Sequence, residues 1–267
     1  MELAGRKALL TGATGGLGIA IAKALAGRGA AVLLSARKRE ALEALAAELP
    51  GEGHAVLPAD LAEPGEAERL AAEAGGVDVL VANAGLPGAG RMEDFTPEQV
   101  QRALRVNLES PMLMAQALYP AMLERGSGHL VFVASLAGKS PAPRSSIYNA
   151  TKFGLRGFAL ALRTDLAPQG IGVSLVSPGF IREAGMFAES GAKSPGGLGT
   201  SSPEEVAQAT VRAIEADKVE ITVAPARQRF LAHFGLTSPG IAVKVSSGSA
   251  GQKSAAEIAA GHSDDKR

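Results

Sequence analysis

Lys7-Ala8-Leu9-Leu10-Thr11-Gly12-Ala13-Thr14-Gly15-Gly16-Leu17-Gly18 is the stretch that decides the architecture of this chain. Its apolar start predicts a strand over 7–10, entering a glycine-rich turn. Ile19-Ala20-Ile21-Ala22-Lys23-Ala24-Leu25 follows and is a strong helix former. Strand, turn and helix in that order are the context a dinucleotide fingerprint needs. Glycines let the backbone turn sharply and approach a pyrophosphate. The helix N-terminus offers free N–H groups and the positive end of its dipole. The competing reading is a βα turn that binds nothing. Four glycines within seven residues argue against it, because they sacrifice chain entropy with no packing return visible in the sequence. Gly12, Thr14, Gly15, Gly16, Leu17 and Gly18 are therefore the expected phosphate-side contacts.

Outward from this unit the same alternation continues. Further strands are expected over 31–35, 54–58, 77–82, 129–134, 172–176 and 219–224. Helices are expected over 17–28, 38–48, 64–74, 97–123, 146–167 and 203–216. Short, continuously apolar strands separated by helices imply a parallel sheet covered on both faces. The fold class is thus α/β, a doubly wound Rossmann-type sheet of about seven strands in a single domain over 1–245, with ligands at the carboxyl ends of the strands. Residues 246–267 are rich in Ser, Gly, Ala and charge and are expected to form a disordered tail.

Composition narrows the chemistry. The 267 residues suffice for one large domain, 46% are hydrophobic, and there is no Trp, so the core must be built from Ala, Leu and Val. There are no cysteines, which excludes disulfides, thiolate catalysis and Cys-based metal sites. His54, His129, His233 and His262 lack metal-ligand spacing and read as surface or loop residues, so no metal site is expected. Net charge is zero, with no basic stripe for nucleic acid and no polybasic cluster for a membrane. No signal peptide or spanning segment is legible, and a cytoplasmic protein is expected.

Tyr148-x-x-x-Lys152 carries the candidate chemistry, with Ser135 thirteen residues upstream. An i, i+4 spacing puts both side chains on one helix face, since a turn takes ~3.6 residues. Free tyrosine has a pKa of about 10, and a nearby cation lowers it, which would make Tyr148 a general acid/base. Alone, the motif is weak and reads better as an exposed Lys beside a half-buried Tyr. It does not stand alone. Thr11-Gly12-x-x-x-Gly16-x-Gly18, Asp60-Leu61, Asn83-Ala84-Gly85, Asn107, Ser135, Tyr148-x-x-x-Lys152 and Pro178-Gly179 occur in order.

Together these motifs resemble the short-chain dehydrogenase/reductase family, over roughly residues 5–225. The turn also reads Thr-Gly-x-x-Gly-x-x-Gly, the pattern of the family's larger epimerase and dehydratase branch. The little chain beyond 224, with Asn83-Ala84-Gly85 and Asn107, fits the compact branch better. The resemblance implies a carbonyl/alcohol oxidoreductase. Tyr148 would exchange a proton with the substrate oxygen. Lys152 would lower the Tyr148 pKa and bond the nicotinamide ribose. Ser135 would donate to the same oxygen. Asn107 would distort the helix over 97–123 and hold a water linked to Lys152, the alternative being a satisfied interior Asn. Asn83, Ala84 and Gly85 would line the cofactor cleft, and Pro178, Gly179 and Ile181 would contact the nicotinamide. Asp60 and Leu61 would contact adenine, an N-cap at Asp60 being the alternative. Arg182 stands near a position where the family often has Thr. Dimers or tetramers are the family's habit.

Cofactor choice is legible at the second strand. An NAD site usually has a carboxylate there for the ribose 2′-hydroxyl. Here the sequence reads Val32-Leu33-Leu34-Ser35-Ala36-Arg37-Lys38. A guanidinium can hold a 2′-phosphate bidentately, so NADP(H) is expected over NAD(H), with Arg37 leading and Ser35 or Lys38 assisting. Residues 182–202, Gly- and Ser-rich with Met186 and Phe187, read as a mobile substrate lid. A moderately apolar carbonyl or alcohol is expected, and a steroid, 3-oxoacyl thioester, retinoid-like aldehyde or xenobiotic ketone all fit. Two other classes stay open: a non-catalytic NADP(H)-binding redox sensor, and an epimerase or dehydratase using the nicotinamide transiently.

Overall fold

The structure, a computed structural model, describes residues 1–192, 194 and 197–261. Seven parallel strands form one sheet: β1 (Lys7–Thr11), β2 (Ala31–Ser35), β3 (Ala55–Val56), β4 (Val79–Ala82), β5 (Gly128–Val133), β6 (Ile171–Pro178) and β7 (Glu220–Val223). Their order is β3-β2-β1-β4-β5-β6-β7. The chain winds outward from β1 to β3, then crosses back to β4 on the other side of β1. Strand order therefore reverses between β1 and β4, where an open α/β sheet leaves a crevice at its carboxyl edge.

The strands alternate between two apolar layers, because successive side chains point to opposite faces. On one face Leu10, Val32, Leu34, Val79 and Val81 meet α1 (Gly16–Ala26), α2 (Arg39–Glu48) and α8 (Pro203–Glu215) through Ile21, Leu42 and Val206. On the other, Leu9, Leu33, Leu80 and Phe132 meet α3 (Glu66–Ala74), α5 (Ser110–Arg125) and α6 (Ser146–Leu166) through Leu70, Met114 and Leu155. Among the described residues no helix is long and apolar enough to cross a membrane.

Four differences from the expected elements are informative. Strand β3 keeps only two residues, at the sheet edge, with β2 as its one partner. The helix expected over 97–123 is three pieces: α4 (Pro97–Leu104), a π-turn at Arg105–Glu109, and α5. Pro111 lacks the N–H that the carbonyl of Asn107 would accept, and its ring crowds that carbonyl, so the turn ahead of it widens. The lid segment contains α7 (Gly185–Glu189), while residues 193, 195 and 196 lie outside the described residues. Finally, α9 (Ala226–Thr237), α10 (Pro239–Ser246) and α11 (Ser249–Ala260) follow β7. The expected disordered tail is thus corrected over 249–260: Ala is the best helix former, and α11 buries Ala255 and Ala259 at i, i+4. Residues 262–267, with His262, lie outside the described residues.

His129 corrects another expectation, being buried in β5 rather than at the surface. The Ser174 hydroxyl donates to the carbonyl of Lys218 at 2.6 Å. It therefore accepts from His129 Nε2, 2.7 Å away, which makes Nε2 the protonated nitrogen. Burial pushes the imidazole down to about 4. The unfolded chain takes up this proton near pH 6.5 and the folded chain only near 4, so folding stability falls as pH drops through that window. The loss reaches about 3 kcal/mol at full shift. Chemical denaturation at pH 7 and pH 5 should show this slope, and His129→Gln should remove most of it.

Candidate active site

The glycine turn closes by contacts of its own. Gly12 has φ +65°, and a Cβ there would lie 2.9 Å from Ala84 Cα. A Cβ on Gly18 would lie 2.1 Å from the Gly12 carbonyl oxygen, and one on Gly16 would lie 2.2 Å from Ala184 Cβ. Three of the four glycines therefore do have a packing reason: Gly12 against Ala84, Gly16 against Ala184 and Gly18 within the turn itself. Gly15 differs: its φ is −75° and a Cβ would meet nothing nearer than 3.4 Å. It is the N-cap of α1, without a side-chain cap, and no acidic residue sits in the first turn. Asn83 binds this turn to β4. Its Nδ2 donates to the carbonyls of Thr11 and Gly12 at 3.0 and 3.2 Å, and Thr11 Oγ1 accepts from the N–H groups of Asn83 and Ala84, both at 3.1 Å. Thr14 and Leu17 flank the same surface, half-buried.

Arg37 and Lys38 stand exposed just beyond β2, and among the described residues neither side chain has a hydrogen-bond or ion-pair partner recorded. Ser35 is buried and its carbonyl accepts from Ala13 N–H at 3.0 Å. Asp60 Oδ1 accepts from Ala62 N–H at 3.0 Å, closing a turn. It is not a helix N-cap, because α3 begins at Glu66 behind Gly65. Leu61 is buried and its carbonyl accepts from Ser110 Oγ.

Asn107 lies fully buried in the π-turn. Its Oδ1 accepts from Leu86 N–H at 2.7 Å; its Nδ2 donates to the Leu86 carbonyl at 3.0 Å and to Thr151 Oγ1 at 3.3 Å. Thr151 in turn donates to the Tyr148 carbonyl at 2.8 Å. A Cβ on Gly85 would lie 3.3 Å from Asn107 Oδ1 and 3.9 Å from Lys152 Nζ, so Asn107 and Lys152 converge on one glycine.

Helix α6 carries Tyr148 and Lys152 into this space. Ser135, just past β5, lies beside the Tyr148 phenol, whose ionisation it favours, and its Oγ accepts from Ala137 N–H at 3.1 Å. Lys152 is buried, donates to the Val133 carbonyl at 3.0 Å, and sits 5.7 Å from the Tyr148 ring centroid. One electrostatic expectation is corrected. Burial pushes the Tyr148 phenol above its ordinary range, with Ser135 pulling the other way. Lys152 is itself pushed down to about 8 by burial, so the dry cleft that brings the two together weakens the cation meant to lower the phenol.

Pro178 ends β6 and is buried. A Cβ on Gly179 would lie 2.1 Å from Gln228 Oε1. Gln228, buried in α9, accepts from Phe180 N–H at 3.2 Å and donates to the Gly199 carbonyl at 2.7 Å, holding both ends of the lid segment. Ile181 is buried and bridged to Ser201. Arg182 turns outward to Glu183 at 2.8 Å. Residues 184–186 lean onto the cleft: besides the Ala184 contact at Gly16, Met186 Cε lies 3.3 Å from where a Gly85 Cβ would stand. The structure thus brings together Asn107, Ser135, Tyr148 and Lys152 with the glycine turn. Gln228 and Thr151 were not legible beforehand, as single polar residues inside helices carry no spacing signal.

Comparison with known proteins agrees with this geometry. A family model described as short chain dehydrogenase matches residues 6–195. The ketoacyl reductase HetN of Nostoc sp. is 35% identical over 227 residues, covering 83% of this chain and 79% of its own. Dehydrogenase/reductase SDR family member 4 of Homo sapiens is 40% identical over 187 residues, 67% of each chain. Among solved structures, a short-chain dehydrogenase from Sphingobium yanoikuyae in complex with NADPH superposes with a TM-score of 0.77 at 27% identity, covering 88% of this chain and 95% of its own. The 3-ketoacyl-(acyl-carrier-protein) reductase from Brucella melitensis, complexed with NADH, gives 0.75 at 29% identity, covering 85% and 99%. With the ordered motifs, the reversal of strand order beside the glycine turn and these matches in hand, the chain belongs to the short-chain dehydrogenase/reductase family and is an oxidoreductase of the CH–OH class.

Proposed function

We propose that this oxidoreductase is an NADP(H)-dependent reductase of ketones or aldehydes, with Tyr148 as proton donor. The observation that carries the reading is the Ser135–Tyr148–Lys152 group at the carboxyl edge of the sheet, with its phenol held above the ordinary range. Such a phenol is protonated at neutral pH, the form that reduction of a carbonyl requires. The chain's residues suit a dinucleotide. The first-turn amides of α1 have no intrahelical acceptor and no acidic neighbour, and the space at Gly15 is left open by the chain itself. Arg37 and Lys38 supply cations where a 2′-phosphate would lie. A bound nicotinamide supplies the hydride. Lys152 and Asn83 line its cleft. Ser135 donates to the substrate oxygen and stabilises charge developing there, and Tyr148 gives that oxygen its proton. Met186, Phe187 and Phe180 border the substrate side, which favours a moderately apolar carbonyl; Phe180 and Phe187 pack with ring centroids 4.7 Å apart.

The test is NADPH consumption, followed optically against a panel of ketones, aldehydes and 3-oxoacyl thioesters, with NADH in parallel. Turnover with NADPH well above NADH is expected. NADPH binding without turnover on any compound would point to a sensor, and product formation without net NADPH consumption to an epimerase or dehydratase. Gly15→Ala serves as an internal control for the cofactor reading. Its backbone tolerates a Cβ, so the melting temperature should hold. NADPH binding should weaken about tenfold or more, because the pyrophosphate needs that approach. Unchanged binding would remove Gly15 from the cofactor site.

A further inference from the structure

Asn149 follows Tyr148 on α6, and no motif singled it out. Its side chain reaches back to the loop that joins Ser135 to α6. Nδ2 donates to the Ala137 carbonyl at 2.6 Å and to the Ser140 carbonyl at 2.9 Å, and Oδ1 accepts from Ala142 N–H at 3.3 Å. All three contacts thus fall on one short stretch of backbone. Ala137 is the residue whose N–H donates to Ser135 Oγ, and Ser135 lies beside the Tyr148 phenol. The hydrogen bonds thus run from Asn149 through Ala137 to Ser135, which lies beside the phenol of Tyr148, the residue preceding Asn149. The same loop presses against α6 one turn later, where a Cβ on Gly138 would lie 2.6 Å from the Lys152 carbonyl oxygen.

The physical content of this path is directional. Ala137 N–H occupies one lone pair of Ser135 Oγ, which leaves its single O–H to turn to the phenol side, where it meets the substrate oxygen once substrate is bound. Asn149 holds the other side of that residue, its carbonyl. Without Asn149, no side-chain hydrogen bond among the described residues ties Ala137 to α6, and the Ser135 hydroxyl is held less firmly through it. Asparagine suits the place because it offers two donors and an acceptor on one short side chain, matched to two carbonyls and one N–H.

We infer that Asn149 is a positioning residue, which registers Ser135 against Tyr148 by clamping the loop between them. The inference rests on the functional reading above for its effect on turnover, but not for its effect on the phenol. That separates the two tests. The chain has two tyrosines, so in a Tyr119→Phe background the absorbance of tyrosinate near 295 nm reports Tyr148 alone. The titration is followed over the range in which the far-ultraviolet circular dichroism is constant. Ser135→Ala should move the onset of ionisation to higher pH, as the phenolate loses its donor. Asn149→Ala and Asn149→Asp should each move it the same way. Asp keeps the shape but sets a carboxylate against two carbonyls. Ser135→Ala combined with Asn149→Ala should move the onset no further than Ser135→Ala alone. In turnover, both Asn149 variants should lose roughly 10- to 100-fold in kcat through misplacement of the reacting groups, with NADPH affinity unchanged within about twofold.

An Asn149 variant that titrates like its parent while Ser135→Ala is shifted overturns the inference. So does an additive shift in the double variant, or a fall in NADPH affinity and melting temperature that accounts for the lost kcat. A chain that turns over no carbonyl yet shows the coupled titration would instead sink the reductase reading and leave Asn149 in its role.

Discussion

Tyr148→Phe is expected to reduce carbonyl turnover by roughly 10²- to 10⁴-fold, the usual contribution of a positioned general acid. That is about 2.7–5.4 kcal/mol of barrier. The variant removes one oxygen and leaves the ring, so the packing of α6 against Gly88 should survive; a Cβ on Gly88 would lie 3.3 Å from Tyr148 Cβ, itself unchanged in the variant. NADPH binding, measured by fluorescence titration, should change by less than about threefold, because the pyrophosphate and adenine contacts lie elsewhere in the cleft. The split matters. A loss of turnover with intact binding assigns the phenol to proton transfer. Equal activity in the variant would sink the mechanism, and loss of binding would show that the phenol serves the cofactor instead. The phenol's raised pKa adds a direction. Alcohol oxidation needs the phenolate and should rise toward alkaline pH, while reduction should be sustained through neutrality.

Arg37→Asp is expected to reverse cofactor preference. A charge-assisted hydrogen bond to phosphate contributes about 1.5–3 kcal/mol, so its loss alone weakens NADPH by roughly 10- to 100-fold. The new carboxylate repels the phosphate further and can accept from the 2′-hydroxyl of NADH, as acidic residues at this place do in NAD sites. Dissociation constants for NADPH and NADH, taken separately by titration, should therefore move in opposite directions. No substrate is needed, so the result stands apart from the mechanism. An unchanged ratio would show the phosphate to be held by another group, with Lys38 next to be replaced. Arg37 is exposed just beyond β2, so folding should be unaffected.

Local signals and long-range contacts contributed differently to these readings. The strands of the sheet were legible because continuous apolar runs bounded by glycine and charge have few other uses in a chain of this length. Only β3 was badly overestimated, since an edge strand ends where its single partner ends rather than where its own sequence changes. A distortion of the long helix was expected at Asn107 from the family resemblance, but its form, a π-turn ahead of Pro111 with the Asn107 amide held by Leu86 and Thr151, was not. Helix α11 was missed because it lies in a stretch, 246–267, whose Ser, Gly and charge read as a tail, whereas its buried stripe of Ala255 and Ala259 becomes visible only with a surface to pack against.

By itself the sequence determined the doubly wound architecture and the order of the motifs. Those properties follow from periodicity and from residue types that few other arrangements would use. Only the tertiary structure decided the electrostatics and the reasons for individual residues. Burial set the phenol high and the Lys152 ammonium low, against the expectation drawn from their spacing, because desolvation depends on what surrounds a group and not on its neighbours in the chain. The same holds for the glycines. Gly12, Gly16 and Gly18 are required by contacts with Ala84, Ala184 and the turn itself, and Gly15 by none of these. Short-range pattern carries the first kind of information; the second exists only once distant segments share one space.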